Sequence, residues 1–594
     1  MKELKRLNKF FIKYKYRLIL GVLFITASNT FSVFIPHFTG QAIDLIKENA
    51  SLYTLIKGSS FTESFQSQFL NSVILIGTLI LVSALLRGFF LYLTRQTIIV
   101  MSRFIEYDMK NEIFSHYQQL PISFYRSHNT GDLMNRISED VSKVRMYIGP
   151  AVMYGLNLLV MFALTITKMY SVNSTLATYT LLPLPLLSLC IYYVSSRMDK
   201  QSTKIQQNLS GLSTFVQEAF SGIRVLKAFA KEKEFEKQFL VKSDEYKDES
   251  LKLALINALF FPVILGLIGL STISVVYVGG LQVVAGNATV GNIAEFVMYV
   301  NMLTWPVASL GWVTSIIQSA AASQRRISEF LDTKPSIVSE KNLVKDIDGE
   351  ISFENVKLVY QDSNIVAVED LTFTIKKGES IAIVGGTGSG KSTIANLITR
   401  LYDPSEGVVK IDGIDIKDYN IPKLREQIGY VPQDVFLFSD TIGNNIAFGL
   451  VDVEKATIEQ AAKDAGVYRN IVDFPNQFDT ILGERGITLS GGQKQRVTLA
   501  RALIRNPKIL ILDDSLSAVD TKTEDEILSN LKRIMENRTT VIVSHRVSSV
   551  KLANRIAFLE DGKITEIGTH EELMLKNGSY KSLYDSQLEE VIVE

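Results

Sequence analysis

Residues 380–393 read SIAIVGGTGSGKST, and the fold of the second half of the chain follows from them. The apolar run ESIAIV predicts a buried strand, and STIANLITRLY beyond the glycines has helical spacing. Gly385, Gly386, Thr387, Gly388, Ser389, Gly390, Lys391 and Ser392 satisfy GxxxxGK[ST], and Thr393 follows directly. The strand–loop–helix setting is the one that makes this pattern a phosphate-binding loop. Glycines let backbone N–H groups close on phosphate oxygens, and the following helix N-terminus adds a favourable dipole. Lys391 is expected to reach the β- and γ-phosphates of a nucleotide, and the Ser392 hydroxyl to ligate Mg²⁺.

Downstream, ILIL at 509–512 ends in Asp513 and Asp514. A strand ending in a carboxylate beside the phosphate loop supplies a second Mg²⁺ ligand, which predicts that role for Asp513. A bare Asp-Asp reads as a turn or a helix cap; the strand before it decides otherwise. Leu489, Ser490, Gly491, Gly492 and Gln493 precede the basic helical stretch KQRVTLARALIR, another anion-receptive helix start. By itself Ser-Gly-Gly is usually only a loop.

Composition splits the chain around these motifs. Its 594 residues carry 62 basic and 62 acidic side chains, with 47% hydrophobic residues and a mean hydropathy of +0.17. That length predicts more than one domain. Zero net charge argues against a nucleic-acid partner. The one cysteine, Cys190, excludes an internal disulfide framework and any CxxC metal site. The polar stretch LDTKPSIVSEKNLVKDIDGE marks a boundary, giving an α-helical membrane domain at 1–330 and an α/β domain at 331–594.

Crossing a bilayer takes about 20 residues of helix. Residues 18–43, 64–86, 146–167, 169–196 and 253–294 lack Asp, Glu, Lys and Arg; Glu295 interrupts, and 296–324 is a sixth such run. Six membrane helices are expected. The N-terminus MKELKRLNKFFIKYKYR holds seven basic residues against Glu3 alone, which places it in the cytoplasm as an amphipathic surface helix. External loops then fall near 44–63, 168–175 and 285–292. The long inside segments, 87–145 and 197–252, read as helical extensions with turns near Pro121–Gly131 and Asn208–Thr214. With no charge in the middle of a span, an intramembrane ion relay lacks its usual feature. Pro183, Pro185, Pro262 and Pro306 would kink spans or free backbone groups. Trp305 and Trp312 read as packing residues, with cavity lining as the alternative.

The order phosphate loop, LSGGQ, strand-Asp resembles the ATP-binding-cassette (ABC) family. Six spans fused to one cassette resemble a half-size ABC exporter of the multidrug and lipid-flippase type, and the resemblance covers essentially the whole chain. It implies roles for further residues. Tyr360 matches the aromatic that stacks on adenine. Gln433, in YVPQD, matches the glutamine that senses Mg²⁺ and the membrane domain. Gly483–Gly486 is similar to the exporter loop before the signature. Asp520, in SAVD, and His545, in VIVSHR, match the D-loop and the switch histidine. His37, His116, His128 and His570 lack such context and read as structural. The resemblance also implies a dimer, with each ATP lying between one chain's phosphate loop and the other's Ser490–Gln493. The cytoplasmic turns then correspond to coupling helices.

One position departs from the family. The general base is usually Glu directly after the strand-Asp, and here it is Asp514. A carboxylate one methylene shorter sits too far from the attacking water, and a misplacement of about 1 Å can cost roughly a hundredfold in rate. Among the resembling exporters this substitution accompanies a weakly hydrolytic site in a heterodimer. The expected partner is therefore a second, different half-transporter, with a homodimer as the alternative.

Three functions compete: ATP-driven export or flipping of amphipathic molecules, drugs or lipids; a regulatory subunit of a heterodimer whose partner carries the competent ATPase site; and a nucleic-acid ATPase. The spans exclude the last. Apolar spans suggest neutral or amphipathic cargo, and the expected location is a bacterial inner membrane.

Overall fold

The computed structural model describes residues 3–56, 58, 61–483, 486, 489–515, 529–536, 538–545 and 550–593. It divides into two units, Met1–His116 with Leu133–Thr333, and Tyr117–Asp132 with Lys334–Glu594.

The first unit is helical. Its main elements are α1 (Lys15–Ile56), α2 (Thr62–Gln119), α4 (Thr130–Val172), α5 (Ser174–Leu181), α6 (Pro183–Ser221), α7 (Ile223–Ala228), α8 (Glu232–Val284) and α9 (Val290–Leu331); the short α3 (Ile122–Ser127) belongs to the second unit. Among the described residues five helices, α1, α2, α4, α8 and α9, are long and apolar enough to cross a membrane. The remaining apolar run, 169–196, is divided by Leu182 between α5 and α6, with Pro183 in the first turn of α6 where its missing N–H costs least. Short π-helical turns at Arg95–Ile99, Arg136–Asp140 and Tyr147–Ala151 interrupt α2 and α4.

Apolar residues lie both inside this unit and on its surface. Val33, Met169, Leu176, Val275, Phe296, Tyr299, Val300 and Leu303 are buried together, whereas Leu75, Leu85, Leu265 and Ile273 point outward. Lipid chains suit such an exterior. Small residues bring α1 and α9 close: a Cβ on Gly291 would run into the Gly40 carbonyl and the Asp44 carboxylate. Asp44 accepts hydrogen bonds from the Gly291 N–H at 2.7 Å and the Thr289 hydroxyl at 2.6 Å, and Thr289 heads a capping box with Asn292.

Three expectations need correction here. Glu295 does not break a span. It is the sixth residue of α9, its side chain 2% exposed, with Oε1 3.0 Å from His37 Nδ1 and 2.8 Å from the Tyr299 hydroxyl. A helix can carry a carboxylate inward when such partners meet it. The second expected turn is not at Asn208–Thr214, because α6 runs unbroken to Ser221 and the chain turns at Gly222 and again near Ala230, whose φ is 52°. Ser and Gly within 208–214 lower helix propensity without ending a helix held by packing. Trp305 and Trp312 are 58% and 45% exposed rather than packed away, and their rings lie 5.6 and 5.4 Å from Tyr154.

The second unit has two sheets. Antiparallel β1 (Ile351–Tyr360), β2 (Ile365–Ile375), β4 (Glu406–Ile411) and β5 (Ile414–Asp415) are ordered β2-β1-β4-β5. The other sheet contains β3 (Ser380–Gly385), β6 (Ile428–Val431), β7 (Ile509–Asp513), β8 (Thr539–Val543), β9 (Arg555–Glu560) and β10 (Lys563–Gly568), ordered β10-β9-β3-β8-β7-β6. All of its neighbouring strands are parallel except β10 on β9. β3, β7 and β8 are buried throughout, as continuous apolar runs in a parallel sheet require. One core fills the space between the sheets, and a second lies on the other face under the helices that include Gly491–Leu503.

Candidate functional site

The order β3-β8-β7 sets the site. These strands are parallel, so the loops after Gly385, Val543 and Asp513 leave from the same edge of the sheet, where ligands bind in open α/β folds. A cavity of about 580 Å³ opens there, walled by Tyr360, Thr387, Gly388, Gly390, Lys391, Ser392, Thr393, Gln433, Asp513, Asp514 and His545. The structure therefore brings together residues spread over more than 180 positions of sequence, Tyr360 to His545.

Two glycines shape the phosphate loop. Gly388 and Gly390 have φ of 82° and 97°, and a Cβ on Gly390 would strike the Ala367 carbonyl. The helix Lys391–Ile398 starts directly at the loop. Lys391 Nζ, lying beside the loop, donates to the carbonyls of Gly385 and Gly386 at 3.0 and 2.7 Å. Burial draws its ammonium below the usual lysine range, against the pull of Asp514 and Asp513. The buried Ser389 hydroxyl has no hydrogen-bond partner among the described residues, as expected of a donor kept for a phosphate.

The Ser392 hydroxyl donates to Asp513 Oδ1 at 3.0 Å. Burial pushes the Asp513 carboxyl above the usual range, partly offset by Ser392, and a cation at this spot would relieve that cost. An exposed Gln433 stands on the same wall. A hydroxyl, a carboxylate and an amide oxygen are hard donors, a set that fits Mg²⁺.

Asp514 and His545 meet with Oδ1 2.9 Å from Nδ1. Asp514 is held in the left-handed region at φ 46°, and its N–H donates to the Val543 carbonyl at 2.8 Å. At the far end of the cavity the Tyr360 hydroxyl is 3.0 Å from that of Thr393.

Ser490, Gly491, Gly492 and Gln493 lie elsewhere. They start the helix Gly491–Leu503 in a capping box, where the Ser490 hydroxyl accepts from the Gln493 N–H at 3.3 Å and Gln493 Oε1 accepts from the Ser490 N–H at 3.0 Å. None of the four walls the cavity. Asp520, with Glu484 and Arg485 of the Gly483–Gly486 loop, lies outside the described residues.

Sequence reasoning missed part of the wall. Arg126, Asp362, Ser363 and Ser544 line the cavity, and Tyr402 meets Tyr360 edge-on at 5.1 Å. Tyr402 follows the loop-bearing helix closely enough to have been a candidate. No sequence signal pointed to Arg126.

An ATP-binding cassette fused to a set of membrane helices is the class this fold and cavity define. The chain matches the family model of the ABC transporter transmembrane region at residues 18–307 and that of the ABC transporter at 368–517. It is 33% identical over 590 residues to a probable multidrug resistance ABC transporter ATP-binding/permease protein, YheI, of Bacillus subtilis, covering 98% of this chain and 97% of the relative. It is 35% identical to an ATP-dependent lipid A-core flippase of Syntrophus aciditrophicus, over 81% of this chain and 80% of the relative. A bacterial Atm1-family ABC exporter with ATP bound superposes with a TM-score of 0.76 at 25% identity, covering 97% of this chain and 99% of that one. The chain belongs to the ABC transporter family, as an integral membrane exporter whose cassette couples ATP hydrolysis to transport.

Proposed function

We propose that the chain is one half of a dimeric exporter that moves amphipathic drugs or lipids out through the membrane domain, 1–330, powered by the cassette, 331–594. The observation that carries this reading is the half-built cavity. Lys391, Ser392, Asp513, Asp514 and His545 converge on it, while Ser490–Gln493 of the same chain do not wall it. A second half-transporter would supply its own Ser-Gly-Gly-Gln to close the cavity, and would receive Ser490, Gly491, Gly492 and Gln493 in return. Cargo identity is drawn from the relatives, which are named for multidrug resistance and lipid A-core flipping.

Within each site the residues divide the work. Tyr360 stacks on the adenine. The backbone N–H groups of 385–392 and the Lys391 ammonium bind the β- and γ-phosphates, whose charge offsets the burial that draws the Lys391 pKa down. Ser392, Asp513 and Gln433 would hold Mg²⁺, which supplies charge neutralisation between the phosphates when bound. The Asp514 carboxylate takes the proton of the attacking water, and His545 orients Asp514 and faces the γ-phosphate. Binding closes two cassettes and hydrolysis reopens them, so nucleotide biases a two-state membrane domain.

Asp514 favours a heterodimer. Its backbone N–H is tied to β8 through Val543, which opposes an advance of the loop to make up the missing methylene. This chain's own site would hydrolyse slowly, and its Ser490–Gln493 would complete a partner's competent site. On this reading the N-terminus, with its seven basic residues, and the cassette face the cytoplasm of a bacterium, with the helices in the inner membrane.

Inverted membrane vesicles from cells expressing the chain with its native partner test the reading. ATP-driven uptake of a labelled phospholipid or a lipophilic dye is expected, and Gly491→Asp should abolish it under either dimer. Uptake that survives Gly491→Asp would reject the shared-site exporter.

A further inference from the structure

The stretch Tyr117–Asp132 belongs to the second unit although it joins two long helices of the first, α2 and α4. Its short helix α3 carries Arg126 on the wall of the nucleotide cavity. The guanidinium carbon lies 5.2 Å from the centroid of the Tyr360 ring and 6.0 Å from that of Tyr402. An arginine over an aromatic face is held by the ring quadrupole. Here the ring is the one read above as the adenine platform, and the inference rests on that reading.

We propose that Arg126 is a base sensor: it occupies the platform while the cavity is empty and is displaced when a nucleotide base stacks on Tyr360. The spacing requires the exclusion. Stacked groups in contact lie about 3.5 Å apart, so a base held between ring and guanidinium needs roughly 7 Å between them. The observed 5.2 Å leaves no room. Phosphates alone do not meet this conflict, since they lie toward Lys391 and Ser392. Arg126 sits between Gln119 at the end of α2 and Thr130 at the start of α4, so its displacement acts on a segment continuous with both helices. The loop thus reports a complete nucleotide, base included, rather than any polyphosphate. Arg126 is a positioning residue in this scheme and takes no part in bond making.

The test measures binding of Mg²⁺-ATP and of Mg²⁺-tripolyphosphate to the full-length chain in lipid nanodiscs, for the unmodified protein, Arg126→Ala, Arg126→Gln and Tyr360→Ala. Losing an exposed cation–π competitor should tighten ATP binding by roughly two- to fivefold in both Arg126 variants and leave tripolyphosphate unchanged. Retained tripolyphosphate affinity certifies that the variants are folded. Weaker ATP binding, equal shifts for both ligands, or no shift for either would overturn the proposal. Tyr360→Ala separates the underlying reading: it should weaken ATP alone. An unchanged ratio of ATP to tripolyphosphate affinity in Tyr360→Ala would remove the adenine platform, and the sensor with it.

Discussion

His545 and Asp514 meet at 2.9 Å from the ends of two adjacent parallel strands, β8 and β7. The contact forms within one chain, so the pair proposed for catalysis meets without a second cassette. Ser490–Gln493 of the same chain do not wall this cavity. Under the proposed reading, a partner's Ser-Gly-Gly-Gln would supply the missing wall.

Removing the imidazole should expose its part in the pair. In an Asp514→Glu background, His545→Ala is expected to lower ATP turnover by about 10²-fold, as the misplacement of a catalytic group does. Steady-state phosphate release measures it. Turnover within twofold of the parent would assign His545 no role in the step.

The Ser392–Asp513 contact predicts the metal dependence. Ser392→Ala should raise the Mg²⁺ concentration needed for half-maximal ATP binding about tenfold or more, from the loss of one charge-assisted contact, whereas Ser392→Thr keeps the hydroxyl and should bind nearly as well. A magnesium titration at fixed ATP reads this directly. Equal titrations for Ala and Thr would place the metal elsewhere.

In the membrane domain, Tyr299 donates to Glu295 Oε1 at 2.8 Å within a buried group. Tyr299→Phe leaves Glu295 with His37 and should cost about 1–3 kcal/mol, the cost of leaving a buried polar group one partner short. A lowered thermal unfolding midpoint of the detergent-solubilised protein is the readout. An unchanged midpoint would mean the hydroxyl contributes no net stability.

The α1–α9 crossing depends on Gly291, where a Cβ would meet Gly40 and Asp44. Gly291→Leu is expected to cost at least 1–3 kcal/mol, the price of overpacking, by forcing the helices apart and breaking the Asp44 cap. Gly77 has open space around the same added atom, so Gly77→Ala serves as the control and should be neutral. Equal losses at both positions would refute a tight crossing.

The cassette was legible in the sequence to a far greater degree than the membrane domain. Phosphate chemistry confines Gly385–Thr393, Asp513 and His545 to particular residue types at the ends of strands, and those types can be read without a structure. Helix ends in an apolar domain are set by packing instead. Hence α6 runs past Asn208–Thr214, and Glu295 lies inside α9 because His37, 258 positions away, meets it there. Arg126 was invisible for a similar reason: its partner Tyr360 is distant in sequence, and an arginine in a polar turn carries no motif. The half-exposed Trp305 and Trp312 show the same limit, since hydropathy does not say which face of a span is covered.

ATP turnover of the chain purified alone in lipid, beside Asp514→Glu and the double variant Asp514→Glu/Lys391→Ala, tests the central claim most directly. A slow unmodified chain is predicted, accelerated roughly tenfold or more toward the hundredfold that about 1 Å of misplacement can cost, and silenced by the added Lys391→Ala. Vigorous turnover by the unmodified chain that Asp514→Glu does not improve would show that Asp514 serves as an adequate base. Turnover indifferent to Lys391→Ala would contradict the assignment of hydrolysis to this cavity.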